Sequence, residues 1–441
     1  MTRTASAIND SLKSFYTRHP YPRYPLVGRP IWENGIMTTP FYVRKIAHPT
    51  EDLPKQARVM VMGCGEVLPY VLSKWDQNSV FDFVDISQRS LSRAKWRIGI
   101  RKDRLKFHCS DIDSFLKAQP SYSYDHIDSI GVLHHLANPS ETLTQLVRVL
   151  KPGGTLRLMV YNSHARAWIR HFQKIFRLLG YSPFKKRDIE QSTILVRSTI
   201  GILGRRDWAF ALKPIFKNTT RFADTFLNVR EANLSIEWWL TRLAASGLEI
   251  ISLLDRYGEL DDLPNPAWQP PSLDQLKERA LDKRFENNLE LILRKPGTTS
   301  NLDESVGKLP FKMNRHIVRH PLWFNFKETA GLSQRDRQFL TQGLISYLID
   351  GTSTQDLMTR LPVEALQRLA RLGAILPGMV EGKDHLAQLM APMSSSMEIP
   401  QYDTFKAEQH LNLLKVFELE LQKDPNKVKK LKLIAKHLER I

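Results

Sequence analysis

Glycines and acids recur where apolar, strand-like runs end between residues 58 and 161. Gly63-Cys64-Gly65 ends the first run, Asp85 the second and Asp111 the third. Glycines at such a point let the backbone approach a ligand that a Cβ would block. A carboxylate at the end of the next strand can accept hydrogen bonds from both ribose hydroxyls of an adenosine. Each acid alone could be a helix N-cap or a turn residue, but the three positions together predict an adenosine-type pocket.

Polar side chains, two of them histidines that could act as acid or base, follow the fourth and fifth strand-like runs. His134 and His135 come after the fourth run, and Tyr161 with Asn162 ends the fifth. A histidine can take a proton from a substrate amine, hydroxyl or carbon acid, although such a pair is also commonly structural. The candidate catalytic residues are therefore His134, His135 and Tyr161.

The elements that must position these residues alternate between strand and helix. Residues 87–100 begin with a Ser N-cap, and residues 139–150 carry apolar residues at helical spacing. Strand, helix, strand order implies parallel strands with crossovers. Two further strand-like runs, 248–254 and 288–293, would complete the sheet. The pattern predicts an α/β, doubly wound, seven-stranded Rossmann-like sheet.

Two other nucleotide pockets compete for the first glycine loop. A dinucleotide-binding loop needs Gly-x-Gly-x-x-Gly, and position 68 is Leu68. A P-loop needs Gly-Lys-Ser/Thr after the strand, and this chain lacks it. The residues thus favour an adenosine pocket of another kind.

Composition narrows the class of protein. The chain has 441 residues, more than one hydrophobic core usually supports, and 42% of them are apolar. We expect a cytoplasmic protein, because no apolar stretch is long enough for a membrane span and no secretory pattern precedes the first domain. Cys64 and Cys109 are the only cysteines, and we interpret both as small buried residues. Neither a disulfide framework nor a metal site is predicted.

Changes in composition predict four regions. Residues 1–50 form an aromatic, Pro-rich segment that we expect to be irregular and to pack on the core, because three prolines stand between residues 20 and 25. The α/β domain covers 51–297, with a basic helical insertion at 164–228. A linker at 298–309 leads to a smaller helical C-terminal domain at 310–441, whose three helical segments suit a winged-helix-like module.

Positive charge is concentrated in the insertion. The chain carries a net charge of +18, and residues 164–221 hold thirteen Arg and Lys against three acids. Such a field could attract RNA, an acidic protein face or anionic lipid headgroups, or it could be only a solvated helical face. The C-terminal region is nearly balanced in charge, which favours protein contact or homodimerisation over DNA binding.

Several motifs together resemble a known family. Gly131-Val-Leu-His-His-Leu, Leu150-Lys-Pro-Gly-Gly and Val160-Tyr-Asn-Ser-His-Ala-Arg are similar to stretches of the class I S-adenosylmethionine-dependent methyltransferases. The resemblance is to the bacterial branch often found fused to tetratricopeptide repeats, and it extends over about residues 12 to 295, including Asp224-Thr-Phe-Leu-Asn-Val-Arg-Glu231. More loosely, residues 350–376 resemble an appendage of bacterial protein-lysine methyltransferases.

The resemblance implies S-adenosyl-L-methionine as the cofactor and assigns its contacts. The ribose would bind to Asp85 and the adenine to Asp111, and Glu66 would supply a carboxylate that relatives carry before the first glycine, where this chain has Met62. The full set of implied cofactor contacts is Gly63, Cys64, Gly65, Glu66, Asp85, Ile86, Asp111, Ile112, Gly131 and Val132. Aromatic faces can favour the sulfonium cation. The candidate substrate-binding residues are Tyr16, Tyr21, Tyr24, Asn162 and Arg166, although the tyrosines could equally pack across the sheet edge.

The expected function is methyl transfer by in-line displacement, most simply to a protein side chain. Positioning and exclusion of water do most of the work in such a reaction. The basic insertion keeps RNA open as the substrate, and the sheet itself is compatible with a small molecule. Met62 and Val67, where many relatives have an acid and a glycine, keep open a binding protein of the same fold without turnover.

Overall fold

A computed structural model describes most of the chain up to residue 297. The described residues are 4–21, 23–24, 39–48, 51, 53–99, 103–163, 166–202, 212–213, 215–254, 272, 274–275, 277–278, 288–297, 310–313, 375–379, 419 and 422. The predicted linker at 298–309 and nearly all of the predicted winged-helix-like module lie outside them.

A seven-stranded sheet forms the centre of the α/β domain, and it confirms the predicted fold class. Its strands are β1 (Arg58–Met62), β2 (Val80–Asp85), β3 (Leu105–Cys109), β4 (Tyr124–Ile130), β5 (Leu150–Tyr161), β6 (Glu249–Leu254) and β7 (Asn288–Arg294). The spatial order is β3-β2-β1-β4-β5-β7-β6. The first five strands are parallel, and β7 runs antiparallel to both of its neighbours. Because the order reverses between β1 and β4, a crevice is expected where their carboxyl ends meet.

Helices connect and cover these strands. They are α3 (Leu68–Trp75), α4 (Gln88–Ile98), α5 (Ile112–Lys117), a 3₁₀ turn (Leu133–His135), α6 (Pro139–Val149) and α10 (Ile236–Ala245). The Ser87 hydroxyl accepts the Ser90 N–H, and the Ser235 hydroxyl accepts the Trp238 N–H. These side chains cap α4 and α10, and α4 begins directly after the serine that the sequence indicated as its N-cap.

The N-terminal region is more regular than the sequence predicted. It forms α1 (Ala5–Arg18) and α2 (Pro40–Ala47). The prediction of an irregular segment is wrong for both, because the prolines follow α1 and Pro40 stands in the first turn of α2, where it is tolerated. Leu12 and Phe15 of α1 are buried, so this helix does pack on the rest of the protein.

The basic insertion folds around its own small core. It contains α7 (Ala167–Leu178), α8 (Lys186–Ile202) and α9 (Thr219–Phe226). Phe172, Phe176, Val196 and Phe226 are among the buried residues that these helices share. The insertion therefore does more than carry surface charge, since its helices are held in place by apolar packing.

Three smaller observations complete the fold. A two-stranded antiparallel ladder joins β8 (Pro310–Met313) to β9 (Ile375–Met379). Cys64 is buried, but Cys109 is exposed, so the prediction that both are buried is wrong for Cys109, which ends the edge strand β3. Among the described residues, no helix is long and apolar enough to cross a membrane.

Candidate functional site

The glycine loop after β1 holds a backbone that only glycine adopts easily. Gly63 has φ +55° and Gly65 has φ +59°. A Cβ added at Gly63 would lie 2.5 Å from Cγ2 of Val132, so a side chain there would also clash with the Val132 side chain after β4. The Cys64 N–H donates to the Val84 carbonyl at 3.1 Å. The loop is thus fixed between the ends of β2 and β4.

Asp85 lies beside this loop at the end of β2. Its Oδ2 accepts the Gly65 N–H and its Oδ1 accepts the Ser87 N–H, each at 2.8 Å. Burial raises the pKa of Asp85 to about 6, although the two hydrogen bonds oppose that rise. Each oxygen keeps lone-pair capacity for one more donor, which suits a pair of ribose hydroxyls.

The other predicted cofactor contacts lie at neighbouring strand ends. Asp111 accepts the Ser114 N–H at 2.9 Å and caps α5, while Ile112 is buried in the main core. Gly131, with φ +74°, follows β4, and Ile86 follows β2. Because β3, β2, β1 and β4 are adjacent in the sheet, these positions share one edge.

Glu66 is engaged differently from its predicted role. It is fully buried and forms ion pairs with Arg93 and, at 3.0 Å, with Arg97. The Tyr24 N–H donates to Glu66 Oε1 at 2.8 Å, and both arginines donate to the Tyr24 carbonyl. Both Glu66 oxygens therefore bind protein groups, and their role is to hold the N-terminal segment and α4 against the glycine loop.

Next to the glycine loop, side chains from distant parts of the chain form what we call the polar-aromatic cluster. Its members come from α1, the 3₁₀ turn, β5, α9 and the segments that adjoin them: Tyr16, His134, His135, Tyr161, Arg166, Asp224, Asn228 and Glu231. The three candidate catalytic residues are thus brought together, along with Tyr16 and Arg166 from the substrate-binding set.

Aromatic stacking orders one half of the cluster. The His134 ring stacks on Tyr161 with centroids 3.7 Å apart, and the Arg166 guanidinium lies 3.6 Å from the Tyr161 ring centroid. Arg166 also binds Glu231 through two hydrogen bonds of 3.0 and 2.9 Å. Burial, with His135 and Arg166 nearby, lowers the pKa of His134 well below its ordinary value, so this histidine is neutral.

A buried carboxylate lies in the other half. Asp224 accepts hydrogen bonds from the Tyr16 hydroxyl at 3.2 Å and from Asn228 Nδ2 at 3.0 Å. Burial raises the pKa of Asp224, while the nearby His135 and Arg166 act to lower it. Among the described residues Asp224 has no ion-pair partner within 4.0 Å.

The remaining predicted substrate residues lie around this cluster. Tyr21 is 41% exposed just after α1. Tyr24 is held by Glu66, and its hydroxyl accepts from Arg221 Nη2 at 3.2 Å. Asn162 is buried, and its carbonyl accepts the Arg166 N–H at 3.1 Å.

Asp224, Asn228 and Glu231 were not predicted as site residues. Asp224 and Asn228 are four residues apart at the end of a helix with an apolar face, so both can point the same way. This four-residue spacing, within the Asp224–Glu231 motif that resembles the methyltransferase family, is the sequence signal that could have identified them as site residues.

Comparison with known proteins agrees with this geometry. Residues 61–156, from β1 to β5, match the family model described as "Methyltransferase domain". The chain contains a methyltransferase domain. The matched segment includes Gly63, Asp85 and His134, so it covers the glycine loop and the start of the polar-aromatic cluster.

Two relatives are similar to part of the chain. An uncharacterized protein of Synechococcus sp. is 25% identical over 287 residues, which are 62% of this chain and 65% of that protein. A ubiquinone biosynthesis O-methyltransferase of Idiomarina loihiensis is 23% identical over 127 residues, 29% of this chain and 51% of that one. The chain thus spans less than two thirds of either relative.

Two solved structures resemble parts of the chain at low sequence identity. PKMT2 from Rickettsia typhi in complex with AdoHcy is 14% identical, with 78% of this chain and 76% of that chain covered and a TM-score of 0.45. The N-methyltransferase NodS from Bradyrhizobium japonicum is also 14% identical, with 65% and 98% covered and a TM-score of 0.33.

Proposed function

We propose that the protein is an S-adenosylmethionine-dependent methyltransferase. The observation that supports the proposal is the hydrogen bond between Asp85 and the positive-φ glycine loop, because a carboxylate beside such a loop is suited to bind the ribose of an adenosine. Bound there, the cofactor would supply an electrophilic methyl group on a cationic sulfur. Asp111 and Ile112 at the adjoining strand end are the proposed adenine contacts.

The polar-aromatic cluster is the proposed place where the methyl acceptor binds. Both faces of the Tyr161 ring are covered, by His134 and by Arg166. The ring that can favour a cation is therefore that of Tyr16, and Asp224 adds a buried carboxylate. Because neighbouring groups hold each of these side chains, their positions are set before a ligand arrives, and fixed positions are the main requirement of methyl transfer.

The acceptor that we propose is a protein side chain carrying an amine. A cationic amine complements the Asp224 carboxylate and the Tyr16 ring, whereas a phosphate next to Asp224 would be repelled. Outside the cluster, the exposed Lys185, Lys186 and Arg187 at the start of α8 would complement an acidic surface around that side chain.

The test uses methyl-labelled S-adenosylmethionine and cell extract. The full-length protein should transfer label to material that protease degrades and ribonuclease leaves intact. The variant Asp85→Ala serves as the inactive control. Label that survives protease and is lost to ribonuclease would overturn the protein acceptor and favour RNA, for which the thirteen basic residues of the insertion are the specific supporting observation.

A second measurement separates an enzyme from a silent binding protein. Calorimetry with S-adenosylmethionine should show binding that Asp85→Ala weakens. Label confined to small molecules would point to a small-molecule acceptor. Binding without any labelled product in extract would favour a protein that keeps the fold without turnover, and absence of binding would contradict the cofactor itself.

A further inference from the structure

The two adjacent histidines of the cluster have hydrogen-bond partners of opposite kind. His134 Nδ1 lies 3.3 Å from the Tyr161 backbone nitrogen. His135 Nδ1 lies 2.5 Å from the Arg230 carbonyl oxygen. A backbone N–H can only donate and a carbonyl can only accept, so each contact determines whether Nδ1 of that ring carries a hydrogen, and in a neutral ring the other nitrogen is then of the opposite kind.

In His134, the nitrogen that faces away from the Tyr161 N–H, Nε2, is a hydrogen-bond donor. Its Nδ1 must be bare to accept the Tyr161 N–H, and the neutral ring therefore carries its hydrogen on Nε2. That nitrogen is completely buried and has no hydrogen-bond partner among the residues described here. A buried donor without a partner is rare in folded proteins and calls for a ligand atom to satisfy it.

In neutral His135, by contrast, Nε2 is a hydrogen-bond acceptor. Its Nδ1 carries the hydrogen that binds the Arg230 carbonyl, so in the neutral ring the lone pair is on Nε2. The His135 ring lies edge-on to Tyr16 at 6.1 Å and to Tyr161 at 5.7 Å, inside the cluster. The titratable and charged groups around it are Tyr16 from α1, His134 beside it, Tyr161 from β5, Arg166, Asp224 from α9, Arg230 and Glu231.

Two carboxylates of the cluster, Asp224 and Glu231, lie near His135. The His135 charge is felt by both Asp224 and Glu231, in the direction that favours their ionised forms. Glu231 is already paired with Arg166, so Asp224 remains as the counter-charge. A neutral donor and a potential base therefore stand side by side, with His134 and His135 ring centroids 4.3 Å apart.

We propose that His135, through Nε2, removes the proton from the methyl acceptor, whereas His134 only donates a hydrogen bond to a bound ligand. This inference rests on the proposed function. The acceptor's X–H bond gives its proton to His135 Nε2, and the X lone pair forms the new bond to the methyl carbon. The carbon–sulfur bond breaks with its electron pair left on sulfur, and the imidazolium later releases the proton to water. The acceptor must then be an atom that carries a removable proton, such as an amine, and not a thioether.

The tautomers can be measured directly on the full-length protein. After ¹⁵N-labelling of histidine, long-range ¹H–¹⁵N spectra distinguish protonated from bare ring nitrogens, and His134→Gln and His135→Gln each remove one ring for assignment. We expect hydrogen on Nε2 of His134 and on Nδ1 of His135. The same tautomer on both rings, or the reverse arrangement, would overturn the proposal even if the protein is an active methyltransferase.

Kinetics with labelled S-adenosylmethionine and extract protein then test the roles. His135→Asn keeps a donor for the Arg230 carbonyl but has no base, so the rate should fall on the order of 10²-fold or more and the acid limb of the pH–rate profile should disappear. His134→Gln keeps a donor near Nε2, so it should lower the rate by roughly tenfold or less with the profile preserved. Both variants should still bind S-adenosylmethionine in calorimetry, which shows that they are folded.

The opposite pH–rate behaviour of the two variants would contradict the assignment of His135 as the base. A normal profile in His135→Asn, or loss of the acid limb in His134→Gln, would show that His135 is not the base. No label transfer by the unmodified protein would instead contradict the proposed function, and the base role would fall with it.

Discussion

The strand-end site and the polar-aromatic cluster are neighbours that are built in opposite ways. The strand-end site, from Gly63 to Val132, relies on backbone conformation and on carboxylates that bind backbone N–H groups. The cluster relies on side chains that hydrogen-bond across 208 positions of sequence, as Tyr16 and Asp224 do. The first is a local product of the sheet, whereas the second exists only when α1 and the insertion dock on it.

The largest effect should come from the centre of the strand-end site. Asp85→Ala removes the proposed ribose contact and leaves the Gly65 and Ser87 N–H groups unpaired, so affinity for S-adenosylmethionine should fall on the order of 100-fold or more. Calorimetry measures the dissociation constant of S-adenosylmethionine, with the variant of an exposed acid, Asp103→Ala, as the matched control. Equal affinities in the two variants would remove Asp85 from the site.

A second change tests the backbone of the same site. Gly63→Ala places a Cβ 2.5 Å from Val132 and strains a residue with φ +55°, so the free energy of unfolding should fall by about 2–4 kcal/mol. Adding Val132→Ala should remove the clash and restore only the part of the lost unfolding free energy that the clash caused. Denaturant unfolding measures both, and a full rescue would show that the conformation of Gly63 contributes nothing.

A substitution in the polar-aromatic cluster should lower the turnover rate without changing the affinity for the cofactor. Asp224→Asn keeps the shape but removes the charge that faces His135, so label transfer should fall by roughly 10- to 100-fold while the cofactor dissociation constant changes little. A matched loss of cofactor affinity would show that the two sites are one functional unit.

The pH dependence of cofactor binding is a smaller effect on the strand-end side. The pKa of Asp85 is about 6, above its ordinary value, so the acceptor form is present above pH 6 and is lost as the pH falls through that value. Affinity at pH 5 should be about tenfold weaker than at pH 7. Asp85→Asn should flatten this dependence, and an unchanged slope in that variant would assign the titration to another group.

The smallest effect is expected furthest from both sites. Replacing Lys185, Lys186 and Arg187 together by alanine should raise the KM for the macromolecular acceptor by a few-fold at low salt and less at high salt. The matched control is Lys55, Lys106 and Lys117, which are equally exposed on the sheet domain. Equal KM values for the two triple variants would mean that the basic face is only solvated.

Much of the fold could be predicted from the sequence because its signals are local. The Ser87 cap and the strand-like runs depend on residues within a few positions. The helix α1 was missed because the nearby prolines outweighed a proline-free stretch with a Thr4 cap. Cys109 was misjudged because its strand lies at the edge of the sheet, a fact that only the strand order reveals.

By itself, the sequence determined the glycine loop, the position of Asp85 and the α/β order, since each follows from residue type and short-range spacing. Only the tertiary structure decided that Glu66 binds Arg93 and Arg97, and that Asp224 meets Tyr16. The tautomers of His134 and His135 were also decided there, because they depend on backbone groups 27 and 95 positions away. Hydrogen-bond partners of this kind become neighbours only on folding, and no local pattern encodes them.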